Sequence, residues 1–158
     1  MSGLHTIATP AGKRRFVRRL FATIADRYDL ITVLLSYGQD RRWKARLADL
    51  AGVGAGERAL DLACGTGDIA ALLAARGARI TGLDLTPRMI ELARAKRLSG
   101  AVFLVGDMMA LPFPNNAFDL VTTGYGLRNV PEIAGALDEI HRVLKPGGRL
   151  LSLDFNRP

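Results

Sequence analysis

Cysteine, histidine and long apolar runs are all scarce in this 158-residue sequence, and each shortage excludes something. A single cysteine, Cys64, rules out an intrachain disulfide framework and suits a reducing cytoplasm. In its context it reads as a small buried hydrophobe rather than a reactive thiol. The two histidines make no credible catalytic pair, since His5 lies in the leader and His141 on a helix. No Cys, His and carboxylate cluster has metal-ligand spacing, so no metal is expected. No strand–serine–helix elbow of the hydrolase type occurs. No run approaches the roughly 20 apolar residues of a membrane span. No apolar segment of signal-peptide type follows the start. There is no internal repeat and no low-complexity tract.

What is present is a globular composition, 49% apolar and 23% charged, with enough length for one domain and a real core. The net charge of +7 is unevenly placed. Residues 1–50 hold ten Lys/Arg against four Asp/Glu, and the remainder hold twelve against eleven. The basic excess therefore belongs to the N-terminal segment.

Residues 59–70, Ala-Leu-Asp-Leu-Ala-Cys-Gly-Thr-Gly-Asp-Ile-Ala, organise the chain. A short apolar run broken only by Asp61 reads as a buried strand. Cys64 to Asp68 makes a tight turn with two glycines, and good helix formers follow. Such a turn lets backbone approach a ligand, and the helix start offers free N–H groups. The spacing Gly65-x-Gly67-x-x-Ala70 also fits a dinucleotide fingerprint. Asp61 and Asp68 argue against that reading, because a pyrophosphate would face two negative charges. A ligand carrying an ammonium and a sulfonium would be attracted instead. Asp68 also has a plain role as a negative charge at a helix N-terminus. The stretch resembles motif I of class I S-adenosylmethionine (SAM)-dependent methyltransferases.

Along the chain, residues 1–11 read as a leader and 12–25 as a helix. Phe16, Val17, Leu20, Phe21, Ile24 and Ala25 form its apolar stripe, with Lys13, Arg14, Arg15, Arg18 and Arg19 mostly elsewhere. Its basic face fits a solvated surface, a membrane-surface contact or, least, nucleic acid, for which no module is recognisable. A further helix opens at Arg41-Arg42-Trp43-Lys44 and runs to about Ala51. Gly52, Gly54 and Gly56 then separate a helical N-terminal lid, residues 1–56, from an α/β core, residues 57–158. Strands are expected at 58–63, 79–84, 101–106, 118–123 and 149–155. Helices are expected at 67–76, from Thr86-Pro87 to Arg97, and from Pro131 with Ile133, Leu137, Ile140 and Leu144 as its buried stripe. The alternation predicts an α/β fold with a doubly wound, mostly parallel, Rossmann-like sheet of five strands.

Ligands of such sheets bind beyond the carboxyl ends of the strands, where strand order switches. Asp84 ends the second strand and can accept hydrogen bonds from both ribose hydroxyls. A capping role toward Thr86 is the weaker reading, since Thr86 can cap for itself. Asp107 ends the third strand and can accept from an adenine amino group, with Met108 packing on the ring. Asp119 starts the fourth strand, at the opposite end of the sheet, and reads as structural.

A narrower resemblance rests on Arg27-Tyr28-Asp29, Ser36-Tyr37-Gly38, Arg42-Trp43-Lys44, Leu60 to Asp68, Ala110 to Pro114, Gly126-Leu127-Arg128-Asn129-Val130 and Arg142 to Arg149. Over about residues 16–158 the chain is similar to the ubiquinone/menaquinone biosynthesis C-methyltransferase family. The resemblance implies SAM as cofactor, held by Asp61, Gly65, Thr66, Gly67, Asp84, Leu85, Asp107, Met108 and Gly124. It implies methylation of a ring carbon of a polyprenyl quinol, with Arg128, Asn129 and Tyr28 at the reacting ring. Arginine is a poor proton acceptor, so Arg128 is assigned to stabilising a phenolate or orienting a water, and Asn129 to orientation. Gly124 departs from the family, where a hydroxyl residue can stand, and Tyr125 beside it is unusual. Relatives continue past Pro158 with a helix and two strands, which leaves residues 150–155 as an exposed apolar sheet edge. A homodimer through that edge is expected, in a cytoplasmic protein with peripheral membrane contact through its basic helix. Another small aromatic or lipid substrate, or a shortened non-catalytic SAM-binding module, remain the alternatives.

Overall fold

Thr9 begins the described chain as a helix cap. Its hydroxyl accepts from Gly12 N at 3.0 Å, and Pro10 takes the first helical position, where no N–H is needed. The computed structural model describes residues 9–36 and 38–154. His5, Tyr37 and Phe155, which figured in the sequence reading, lie outside those residues.

Three helices come first: α1 (Pro10–Ile24), α2 (Tyr28–Leu35) and α3 (Gln39–Ala51). The alternating part follows as β1 (Arg58–Leu62), α4 (Asp68–Ala74), β2 (Arg79–Asp84), α5 (Pro87–Ala95), β3 (Ala101–Val105), β4 (Phe118–Gly124), α6 (Ile133–Val143) and β5 (Leu144–Leu153). The five strands are parallel, in the order β3-β2-β1-β4-β5. The chain winds outward from β1 to β3, then returns to the other side of β1 with β4. The switch in direction therefore lies between β1 and β4, and their carboxyl ends open there.

Alternation along the strands sends side chains to two apolar layers. Ala59, Ile80 and Leu120 join Leu47, Ala48, Ile69, Leu73 and Ile90 on the face covered by α3, α4 and α5. Leu60, Leu62, Leu83 and Val121 join Ala136, Ile140 and Val143 of α6 on the other face. Burial on both faces is what a parallel sheet needs.

Two stripes differ from the sequence reading. Helix α6 starts at Ile133 rather than Pro131, and Leu144 already belongs to β5. Its sheet-facing positions are Ala136, Ile140 and Val143, while Ile133 and Leu137 are exposed. The small Ala136 lets the helix approach the sheet, whereas bulk alone favoured the flanking Leu137. On α1, Phe16 and Leu20 stay 49% and 44% exposed, and Val17, Phe21, Ile24 and Ala25 carry the packing. Asp119 sits at the far end of the sheet as expected, accepting from Arg58 N at 2.9 Å and pairing with Lys145 at 2.7 Å.

Phe103 of β3 fixes two glycines. A Cβ on Gly67 would stand 3.0 Å from its ring, and a Cβ on Gly82 would overlap the ring and reach 3.1 Å from Cys64 Sγ. Gly82→Ala is therefore expected to destabilise the protein by about 1–3 kcal/mol through overpacking. Urea denaturation measures this, and the loss should shrink when Phe103 is shortened to leucine in the same chain.

Candidate cofactor cleft

Burial of the strand ends forces their polar groups to find partners, and Asp84 is where they converge. Its Oδ2 accepts from Gly65 N at 2.9 Å and its Oδ1 from Thr86 N at 2.8 Å. Burial raises the Asp84 pKa above its ordinary value, and these two bonds oppose the rise without cancelling it. The capping role that the sequence reading set aside is thus present: Thr86 makes no side-chain cap bond, and Asp84 serves its N–H. The same carboxylate also faces the cleft.

Gly65 follows Cys64 at φ 53°, a left-handed conformation that suits glycine. A Cβ there would meet nothing nearer than Tyr28 Cε1 at 3.8 Å, so the turn presents bare backbone to open space. Gly67 does not share this role, because it faces Phe103 and not the cleft.

The cleft holds about 750 Å³, its open mouth included. Its floor is Gly65, Asp84, Leu85, Asp107, Met108 and Gly124, and its roof is Arg14, Val17, Phe21 and Tyr28 from the N-terminal helices. Asp107 Oδ1 accepts from Met109 N at 2.9 Å, while Arg14 reaches its Oδ2 at 3.1 Å. Lys13 Nζ donates to Val130 O at 2.5 Å, and Arg88 of α5 pairs with Asp26 at 2.6 Å. Phe21 meets Tyr28 edge to face at 5.9 Å between ring centres. Burial, the largest influence on Tyr28, raises its phenol pKa despite the nearby Lys44 charge.

A smaller recess of about 330 Å³, its open mouth included, lies beside the cleft and shares Tyr28, Ala63, Gly65, Gly124 and Tyr125 with it. Asp61 and Thr66 border this second space rather than the main cleft. Asp68 also lies there, but its charge is met by Lys44 at 3.0 Å and Lys96 at 2.8 Å. The charge argument built on Asp68 therefore needs correction, because two lysines distant in sequence already answer it. Desolvation works against its ionisation, yet these lysines hold its pKa below the ordinary value.

Of the residues assigned to the reacting ring, Tyr28 and Asn129 line the cleft and Arg128 does not. Arg128 pairs with Asp154 at 3.3 Å and lies over the Tyr125 ring at 5.5 Å. Asn129 Nδ2 donates to Tyr125 O at 3.1 Å. Tyr125 itself adopts φ 61°, its N–H donates to Leu153 O at 2.7 Å, and its hydroxyl donates to Asp40 Oδ1 at 3.1 Å. The sequence reading missed Arg14, Asp40 and Lys44. An acid and a base four apart on α3 were the available signal for the last two, and such pairs usually mark a solvated helix face.

Asp61 is 1% exposed, and burial raises its carboxyl to about 7 against bonds from the Thr122 hydroxyl (2.8 Å) and Ala70 N–H. A raised acid pKa means the folded chain holds the proton more tightly than the unfolded chain. The stability from this group is complete below its ordinary 3.8 and is lost as pH rises through about 7. The urea midpoint should fall between pH 5 and pH 8, and Asp61→Asn should show a smaller fall.

The sequence model of the ubiE/COQ5 methyltransferase family matches residues 9–158. The chain is 49% identical over 144 residues to a demethylmenaquinone methyltransferase of Thermus thermophilus, covering 88% of this chain and 66% of the relative. It is 44% identical over 142 residues to the ubiquinone/menaquinone biosynthesis C-methyltransferase UbiE of Rubrivivax gelatinosus, covering 90% and 57%. It thus spans between 57% and 66% of the length of these curated relatives. A crystal structure of an S-adenosylmethionine-dependent methyltransferase from Mesorhizobium loti superposes with a TM-score of 0.62 at 30% identity, over 66% of this chain and 50% of that one. The sheet is accordingly the Rossmann-like fold of class I methyltransferases. With the family pattern running from the cap of α1 onward, the chain belongs to the ubiE/COQ5 methyltransferase family.

Proposed function

We propose that this chain forms the cofactor-binding part of a SAM-dependent C-methyltransferase acting on a polyprenyl quinol in ubiquinone or menaquinone biosynthesis. The observation that carries the reading is the presence of Asp84 and Asp107 at the ends of adjacent strands in one largely apolar cleft. The names of the relatives support the quinone substrate class.

The residues fit the cofactor. Asp84 retains acceptor capacity for ribose hydroxyls, and Asp107 for an adenine amino group. Leu85 and Met108 supply apolar contact for the ring, and Gly65 leaves room for close approach. Thr66, Gly124 and Asp61 belong to the same proposed set, and Gly67 supports it by packing on Phe103. When bound, SAM supplies an electrophilic methyl group on sulfonium.

The chain's own residues orient the ring and shield it. Residues 1–56 act as a lid on the core of residues 57–158, the two forming one domain, with Val17, Phe21 and Tyr28 excluding water. The quinol loses a hydroxyl proton to solvent water before the lid closes, which gives its ring carbon carbanion character, and after methylation that carbon releases its own proton to water on reopening. Tyr28, with its raised phenol pKa, stays neutral near pH 7 and donates a hydrogen bond to the resulting phenolate. Asn129 orients the ring, and Arg128 reaches the same charge by exchanging its Asp154 partner for the phenolate.

The lid also supports a cytoplasmic protein that meets a membrane peripherally. Arg15, Arg18 and Arg19 are exposed beside Phe16 and Leu20 on α1, and Leu30 and Leu34 are exposed on α2. None of the described helices is long and apolar enough to cross a membrane. A homodimer through β5, an edge of the described sheet, completes the reading.

Two measurements test it. Asp84→Ala should abolish SAM binding in calorimetry while the protein stays folded, with about 1–3 kcal/mol less stability from its lost turn bonds. Retained binding breaks the cleft assignment. Each basic residue near an anionic surface contributes about 1 kcal/mol, so replacing Arg15, Arg18 and Arg19 by glutamine should weaken binding to phosphatidylglycerol vesicles roughly a hundredfold. Unchanged cosedimentation counts against the membrane contact.

A further inference from the structure

The smaller recess has a chemistry of its own. The main cleft offers apolar walls and two carboxylates, suited to a nucleoside. The space beyond Gly65 and Gly124 is bordered by Asp61, Asp68 and one ammonium, Lys44. Lys44 is carried by α3 and is 7% exposed. Its Nζ donates to Asp40 Oδ2 at 2.6 Å and to Asp68 Oδ2 at 3.0 Å. Desolvation works against its charge, but those two carboxylates outweigh it and hold the ammonium pKa above its ordinary value. Asp40 is 2% exposed and is fixed in turn, its carboxylate by the Tyr125 hydroxyl and its N–H by Ser36 Oγ at 3.1 Å.

Packing does not require this arrangement. Helices α3 and α4 already meet through Leu47, Ala48, Ile69 and Leu73. A buried ion pair rarely stabilises a fold more than apolar residues of the same volume. An ammonium has three N–H donors, and Asp40 and Asp68 engage two in the described structure. A cation set among carboxylates, reached from a nucleoside-shaped cleft past bare backbone, complements a zwitterion joined to that nucleoside.

We propose that Lys44 binds the α-carboxylate at the amino-acid end of SAM, while the acidic wall that includes Asp61 receives the α-ammonium. Asp40 and Tyr125 position the Lys44 ammonium for that contact. The assignment rests on the reading of the main cleft as the SAM site, and it extends the cofactor set to the N-terminal helices.

The test compares two thioethers by calorimetry on the full chain: S-adenosylhomocysteine and S-adenosyl-3-thiopropylamine, which lacks only the carboxylate. Wild type should prefer the first by about tenfold or more, the factor that one charged hydrogen bond carries. Asp40→Asn keeps Lys44 but replaces the carboxylate oxygen that positions its ammonium, so it should lower the preference without abolishing it. Asp40→Asn with Lys44→Met removes both buried charges together and should bind the two ligands equally. As a second measurement that needs no variant to fold, the side-chain 15N resonance of Lys44 in wild type should shift with S-adenosylhomocysteine and not with the propylamine. Equal binding of the two ligands by wild type, a preference surviving in the double variant, or an unmoved Lys44 resonance overturns the assignment with the SAM reading intact. Failure of wild type to bind either ligand overturns the SAM reading and this assignment with it.

Discussion

The Asp84 carboxylate ties together the two loops that leave the neighbouring strands β1 and β2. One oxygen holds the N–H of Gly65, in the turn after β1, and the other holds the N–H of Thr86, at the start of α5. Because Asp84 is itself buried, each bond replaces water that the group has lost, and neither loop can move without stranding a charge. The glycine turn is therefore held to the end of β2 by this side chain together with the Cys64 N–H, which donates to Leu83 O at 3.1 Å. The parallel register of β1 and β2 brings it there, with Leu62 opposite Leu83 one residue before the acid. The cleft is an outcome of that register.

Around this bridge the molecule divides its labour. Two apolar layers cover the sheet faces and stop short of the carboxyl ends, where polar side chains take over. The N-terminal helices close the top with few apolar side chains and two partly exposed ion pairs, Arg14 with Asp107 and Arg88 with Asp26. Exposed pairs of this kind contribute little to stability. They fix an orientation while leaving the roof easier to displace than the floor.

The fold was legible in the sequence because its signals are local. Strand runs, the glycine turn and Pro87 punctuate the chain within a few residues of what they control. Side-chain surroundings were not legible where they depended on a distant partner. Leu137 outweighs Ala136 by bulk, yet the sheet admits the smaller residue against it. Asp68 reads as a charge offered to a ligand until Lys44 and Lys96, 24 and 28 residues away, are seen to hold it. Gly67 reads as part of a ligand cradle, but Phe103 is what needs its hydrogen. Arg128 lies in a selective motif, and its orientation toward Asp154 depends on how β5 ends. Sequence spacing places residues on the correct strand ends without revealing which way each side chain turns.

Phe103, Gly67 and Gly82 are tied in a way that constrains how this chain can drift. The aromatic ring occupies the volume that side chains at both glycines would need. A mutation at either glycine meets the ring and is removed by selection. A smaller residue at 103 leaves a void, which is costly but survivable, and then frees Gly82, while Gly67 stays tied to glycine by its φ of 86°. Glycine at 82 is thus bound to the aromatic ring at 103, whereas glycine at 67 answers to its own backbone as well. The demand for glycine at 67 in this turn thus comes from one core ring and a left-handed backbone, independent of any ligand.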